Sequence, residues 1–282
     1  MNRLTLVQTA GSRVISVLSG KGGVGKSVIS YNLADRLGAR GNRVLLVDAD
    51  FSSGNLHILA NVRCDVGVRQ FAAGELSLAE AVTPVSEHID LLASSWGGSV
   101  VDDFGVMPTA HLVRIIREQS GGYHHVIIDH GSGISKPATV MAHASDLTLL
   151  VIVPELTSIA DAYGLYKYLV ETNKSIDCRL LVNRCQSDEE ADYIDRKFRA
   201  LAERFLGQSP SMLGFLPEAD QVRAALARQV PIFRIDEQSA VCQTLTSIAG
   251  MLSGSASAAE IRRSNAVKFE DKENPATADT KG

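Results

Sequence analysis

The residues best equipped for chemistry lie in Ser19-Gly20-Lys21-Gly22-Gly23-Val24-Gly25-Lys26-Ser27. The spacing Gly-x-x-x-x-Gly-Lys-Ser is that of a loop that wraps a polyphosphate. Such a ligand needs many inward-facing donors and no side chains in the way. Glycines at 20, 22, 23 and 25 let successive backbone N–H groups converge on an anion. Lys26 can reach the β- and γ-phosphates, and the Ser27 hydroxyl can ligate Mg²⁺. Three carboxylates follow downstream: Asp48 and Asp50 close one apolar run, and Asp129 closes another. An aspartate ending a buried strand is the usual holder of the Mg²⁺ shell.

The elements that must position these groups are legible around them. Arg13 to Leu18 is rich in β-branched and apolar residues and predicts a strand entering the loop. Val28 to Arg40 predicts a helix leaving it, with Ile29, Leu33 and Leu37 on one face. A helix N-terminus at that point adds free N–H groups and a favourable dipole for an anion. Arg43 to Val47, Ile89 to Ala93, Tyr123 to Ile128, Leu147 to Val153, Arg179 to Val182 and Met212 to Leu216 predict further strands. Their near-continuous apolar character is that of parallel strands buried on both faces. Asp65 to Val82 predicts small helices, and Thr109 to Glu118 a helix capped by Thr109. Thr157-Ser158 predicts the cap of a helix running to Thr172, with Asp161 in its first turn. Ser187 to Phe205 reads as a charged, exposed helix, and Gln238 to Leu252 as a closing helix with Val241, Leu245, Ile248 and Leu252 on one stripe. The expected fold class is α/β: a doubly wound, mostly parallel sheet of seven or eight strands with helices on both faces.

The chain has 282 residues, 45% of them hydrophobic, with a formal net charge of −4. That charge gives no global attraction to nucleic acid or anionic membranes. Cys64, Cys178, Cys185 and Cys242 form no C-x-x-C pair and have no histidines at metal spacing, which predicts reduced thiols and speaks against an iron–sulfur site. No apolar run reaches the ~18 residues of a spanning helix. Residues 1–12 predict a loosely held lead-in, 13–254 one domain, and 255–282 a mostly disordered polar tail.

Lys21 exceeds what the general pattern requires. Lys-Gly-Gly-Val-Gly-Lys-Ser is the deviant Walker A form, and with it the chain resembles the MinD/ParA family of ATPases. The segment Pro154-Glu155-Leu156-Thr157-Ser158-Ile159-Ala160-Asp161-Ala162-Tyr163 resembles the FlhG/FleN flagellar-number branch. The resemblance spans roughly residues 13–252 and implies ATP and Mg²⁺ as ligands. It assigns Gly20 to Val28 to the phosphates and Lys21 to the partner's phosphates across an ATP-bound homodimer. Asp50 becomes the carboxylate that orients the attacking water, and Ser27, Asp50 and Asp129 become the Mg²⁺ set. Asn183 would meet the adenine edge, with Pro217 and Glu218 beside the base. Asp48 has two readings, support for the Mg²⁺ shell or loop and a plain strand-end cap. His130 stands where the family more often has a small residue. Its two readings are a γ-phosphate contact and a solvent-facing loop histidine, the second favoured. His124 and His125 read as surface and core.

The implied function is a slow, partner-stimulated ATPase that regulates placement or number of a cellular structure. The expected localisation is cytoplasmic, with a peripheral place at the cell pole or membrane as an option. Two alternatives stay open: a DNA-associated ParA-type partitioning ATPase, and a nucleotide-binding scaffold with little turnover. The resemblance also implies a closing amphipathic membrane helix, as in MinD and many FlhG relatives. Here Ala258 to Phe269 offers only Ile261, Val267 and Phe269, too little apolar area to hold a membrane alone. The Gly/Ser-rich stretch from Ser94 to Gly105, with Trp96 and Phe104, predicts a mobile loop near the site.

Overall fold

The computed structural model describes residues 12–94 and 109–254. The expected lead-in up to residue 11, the loop over 95–105 and the tail from 255 lie outside the described residues. Ser12, placed in the lead-in by sequence, is buried: its hydroxyl donates to the Ser120 carbonyl at 2.8 Å.

Eight strands form one sheet in the order β3-β4-β2-β5-β1-β6-β7-β8. They are β1 (Arg13–Leu18), β2 (Val44–Ala49), β3 (Thr83–Ser86), β4 (Ile89–Leu92), β5 (His125–His130), β6 (Leu147–Ile152), β7 (Cys178–Cys185) and β8 (Ser211–Pro217). All neighbours run parallel except β3, which pairs antiparallel with β4 at the edge. Sequence reading missed β3. Its four residues alternate half-buried and exposed, and Pro84 lies within it, a composition tolerated only at a sheet edge.

Alternation along the strands builds two apolar faces. Ile15, Val17, Val44, Leu46 and Leu149 pack on one side against Ile29, Leu33 and Leu37 of α1 (Lys26–Ala39) and Val241, Leu245 and Ile248 of α10 (Ala240–Leu252). Val14, Leu45, Val126 and Ile128 face the other side, under α3 (Val68–Ala72), α4 (Leu78–Ala81) and α5 (Thr109–Gln119). Leu150, Ile152, Leu180 and Val182 pack there beneath α7 (Leu156–Thr172) and α8 (Asp188–Leu206). α8 is less exposed than its charge suggested, because Ala191, Ile194, Phe198 and Ala202 form a buried stripe. Short α2 (Leu56–Leu59), α6 (Lys136–His143) and α9 (Asp220–Arg228) complete the layers.

The start of α7 differs from expectation. Glu155 occupies the N-cap without a side-chain cap bond, and the Ser158 hydroxyl accepts from the Val153 N–H at 3.1 Å instead. The first turn of α7 carries no acidic residue. Asp161 lies one turn further in, and its carbonyl packs against Gly20: a Cβ on Gly20 would overlap the Asp161–Ala162 backbone. That glycine lets the loop after β1 seat on α7.

β1 is central, with β5 on one side and β6 on the other. The chain reverses its direction of winding there, which opens a crevice at the carboxyl ends of the strands.

Candidate active site

The loop leaving β1 fills that crevice. Gly23 and Gly25 take φ of 75° and 96°, left-handed values that suit glycine. The Ser19 hydroxyl donates to the Lys21 carbonyl at 2.7 Å. α1 starts at Lys26 with no side-chain cap and no acidic residue in its first turn, so its N-terminus presents unshared donors and positive potential.

Lys26 is 8% exposed. Burial holds its ammonium below the ordinary lysine value, opposed by the charges of Asp129 and Asp50. Asp129 is fully enclosed near the end of β5. Its carboxylate accepts from the Ser30 hydroxyl at 2.9 Å and from Ser27. Burial pushes Asp129 up to about 6, against the bonds from Ser27 and Ser30 and the charge of Lys26. Lys26, Ser27 and Asp129 thus converge as the spacing implied. A buried carboxylate already bonded to the Ser27 hydroxyl, beside two more aspartates, is a donor set of oxygens that fits Mg²⁺.

Asp48 pairs in register with Asp129 across β2 and β5 and is fully buried. Its Oδ1 accepts from the Asp50 N–H at 3.1 Å and its Oδ2 from the Leu56 N–H at 3.2 Å. Burial, then Asp129, push it up to about 7 against those two bonds. Asp48 therefore clamps both ends of the loop that carries Asp50. Gly54 lies in the same clamp: a Cβ there would overlap Ser94 Oγ.

Asp50 is half-buried beside Gly131, where an added Cβ would come 3.3 Å from Oδ1. Oδ1 accepts from the Ser52 N–H (3.2 Å), the Ser52 hydroxyl (2.8 Å) and the Ser53 N–H (3.0 Å); Oδ2 accepts from the Ser53 hydroxyl at 3.1 Å. Partial burial works to raise its carboxyl, yet these donors outweigh it and hold Asp50 below its ordinary value.

His130 overturns the solvent-facing reading. It is the last residue of β5, 1% exposed, and its Nε2 meets Ser16 Oγ at 2.9 Å. Burial, then Lys26, push it down to about 3, so it is a neutral core group behind the site. The strand runs two residues past the expected Ile128. The following loop is tied to the phosphate loop by Gly133 N–H to the Ser19 carbonyl at 2.9 Å. His124 is exposed and His125 buried, as read.

Beyond α1, a cleft is lined by Gly25, Val28, Asn183, Pro217, Glu218 and Val222. Asn183 Nδ2 donates to the Val24 carbonyl at 2.7 Å, and Gly25 leaves room for it. Sequence reading left Arg184 and Val222 of this cleft unassigned; Arg184 follows Asn183 at a strand end, the signal that could have flagged it. It also missed the partners of Lys21. Nζ of Lys21 lies 2.6 Å from Glu155 Oε2 and 3.0 Å from Thr157 Oγ1, both in the same chain. The segment Pro154 to Thr157 thus holds the early lysine.

A glycine loop on the central strand, a buried lysine at a helix start and an enclosed serine–aspartate pair define a P-loop nucleotide-binding protein. Residues 15–232 match the model of the CobQ/CobB/MinD/ParA nucleotide binding domain, and the chain belongs to that family, its similarities running to the MinD/ParA type of P-loop ATPase. The chain is similar to the antiactivator FleN of Pseudomonas aeruginosa, 28% identical over 78% of this chain and 79% of that one. It is also similar to the flagellum site-determining protein YlxH of Helicobacter pylori, 25% identical over 86% and 82% of the two chains. In fold it matches the septum site-determining protein MinD of Pyrococcus horikoshii, solved with Mg-ADP, with a TM-score of 0.71 at 22% identity over 86% of this chain and 96% of that one. Among the described residues, no helix is long and apolar enough to cross a membrane.

Proposed function

We propose that this chain binds ATP with Mg²⁺, hydrolyses it slowly, and uses the nucleotide state to control pairing with a second copy and with a regulatory protein. Its output is placement or number of a cellular structure; the relatives named an antiactivator and a flagellum site-determining protein support regulation over metabolism. The observation that carries the reading is the convergence of Lys26, Ser27, Asp129 and Asp50 on one glycine loop.

In this reading the loop N–H groups and Lys26 bind the phosphates. Ser27 and Asp129 would hold Mg²⁺, with Asp50 beside them, and the ion would supply charge neutralisation at the phosphates. Asn183 spends one of its two amide N–H donors on Val24, and its Oδ1 remains as an acceptor. That acceptor, with the remaining N–H, suits the amino and ring-nitrogen edge of adenine. Asp50 accepts a hydrogen bond from the attacking water and aligns it. Lys21, 39% exposed at its side chain, leaves Glu155 to reach the partner's phosphates. Turnover slower than one per second corresponds to a barrier of about 18 kcal/mol or more, consistent with a timer.

The test is Asp50→Ala, followed by single-turnover hydrolysis and size-exclusion chromatography in ATP and Mg²⁺. Asp50 acts on the transition state rather than on bound ATP. Turnover should fall about 10²-fold with affinity unchanged, and the paired form should accumulate. Wild-type turnover in the variant removes Asp50 from the mechanism. Loss of both turnover and pairing makes Asp50 a structural or Mg²⁺-shell residue instead.

A further inference from the structure

The loop that carries Asp50 contains Phe51-Ser52-Ser53-Gly54, and its serines do something the reading above does not use. A carboxylate offers about four lone-pair sites. In Asp50 the Ser52 N–H, the Ser52 hydroxyl and the Ser53 N–H crowd Oδ1 at 2.8 to 3.2 Å, and the Ser53 hydroxyl takes one of the two positions on Oδ2 at 3.1 Å. The carboxylate nevertheless lies in the site, against Gly131 and acting on Lys26. It is placed for the chemistry while Oδ1 is fully engaged and Oδ2 is shared with the Ser53 hydroxyl.

We propose that Ser52 and Ser53 are positioning residues that restrain Asp50, their hydroxyls turning its carboxylate toward the loop tip and competing with the attacking water until that tip turns away. This rests on the assignment of Asp50 as the water-orienting group. The geometry makes the restraint reversible. Asp48 grips Asp50 N–H and Leu56 N–H, and Gly54 is wedged against Ser94. The two ends of the loop are therefore fixed, and Ser52 and Ser53 are the exposed tip between them. Rotation of that tip frees the carboxylate without disturbing the buried clamp or the phosphate loop. The backbone N–H groups would hold Asp50 in any residue's company; the hydroxyls are the part that this sequence adds. A slow basal rate then follows from competition for one acceptor, and an activator that engages the two hydroxyls would relieve it.

The experiment compares the full-length wild type with S52A/S53A, S52T/S53T and S52A/S53A/D50A, measuring steady-state kcat and KM for ATP and nucleotide affinity. Both serines are exposed, so alanine leaves the core untouched. Loss of the hydroxyls should raise kcat about tenfold, the worth of one net hydrogen bond to a charged group, with KM and affinity unchanged. S52T/S53T keeps the hydroxyls and should return to the wild-type rate. The triple variant should lose the gain. A kcat for S52A/S53A that is unchanged or lower overturns the restraint, while D50A alone still tests the Asp50 assignment. A gain that persists in the triple variant overturns it as well, because the serines would then act by another route. Wild-type turnover in D50A removes the assignment and the restraint together.

Discussion

Asp129 and Asp50 stand in the same crevice and are held in opposite ways. Asp129 is enclosed at the end of a central strand, bonded to Ser27 and Ser30 of α1, and raised by burial. Asp50 is half-exposed, bonded only to its own loop tip at the level of its side chain, and held below its ordinary value by those bonds. The first belongs to a rigid half of the site that is built by sheet packing and exists before any ligand arrives. The second belongs to a half that local hydrogen bonds assemble and can disassemble. On the proposed reading, nucleotide binding rests on the first half and turnover on the second. The early lysine falls on the adjustable side: its ion pair with Glu155 is solvent-exposed, and such pairs contribute at most about 1 kcal/mol.

The comparison breaks first at Lys26. If the rigid half carries binding, Lys26→Ala should weaken ATP at least about 10²-fold, as expected for losing charged hydrogen bonds to phosphate. Its denaturation midpoint should barely change, because a buried ammonium is itself costly. Calorimetric titration with ATP and Mg²⁺ checks this; wild-type affinity would place the phosphates elsewhere.

Gly20 and Gly23 sharpen the contrast within the loop itself. Gly20→Ala forces a Cβ into the Asp161–Ala162 backbone, which has no flexible end to yield. It should cost about 3 kcal/mol of stability, the upper range for overpacking. Gly23 has open space around it but φ of 75°. Gly23→Ala should cost about 1 kcal/mol, the price of a left-handed alanine. Urea denaturation of both variants measures the difference, and equal costs would mean that the loop does not bear on α7.

A smaller effect distinguishes the buried half by pH. Burial, then Arg13 and His124, push His125 down to about 4. A folded value below the unfolded one means that the unfolded chain takes up the proton first. The neutral histidine's share of stability is complete above about 6.5 and is lost as pH falls toward about 4. Between pH 7 and pH 5 that loss is about 2 kcal/mol. The raised Asp48 and Asp129 act in the opposite sense over the same range, so the measurement compares variants. His125→Gln should gain about 2 kcal/mol on the wild type between pH 7 and pH 5, read from urea midpoints at each pH. No gain would mean that His125 is charged in the folded protein.

Much of the fold was legible because its signals are local. The strands read as apolar runs, and α1 and α10 read as stripes at helical spacing. β3 was not legible, because an edge strand with one wet side has no apolar run to betray it. The cap of α7 was misassigned because Thr157 and Ser158 have cap chemistry, yet Ser158 is drawn inward by the Val153 N–H. His130 was misplaced for a related reason. A histidine after an aspartate looks like the start of a loop, whereas the pairing of Ala49 with His130 carries β5 on through it.

What the sequence determined by itself is the phosphate loop and its flanks. Glycine freedom, a helix N-terminus and a lysine at fixed spacing act within nine consecutive residues, so their chemistry is written in order along the chain. It also placed Asp50 and Asp129 at strand ends, since apolar runs stop where carboxylates begin. What only the tertiary structure decided is which groups each side chain meets. Asp48 reaches the N–H of Leu56 eight residues on, Lys21 lies on Glu155 across more than a hundred residues, and Asn183 of β7 closes on Val24 of the loop after β1. Those contacts depend on how the sheet brings distant strand ends into one crevice. Hydrogen bonds and ion pairs a few ångströms long are decided by that assembly, and no local pattern in the chain records them.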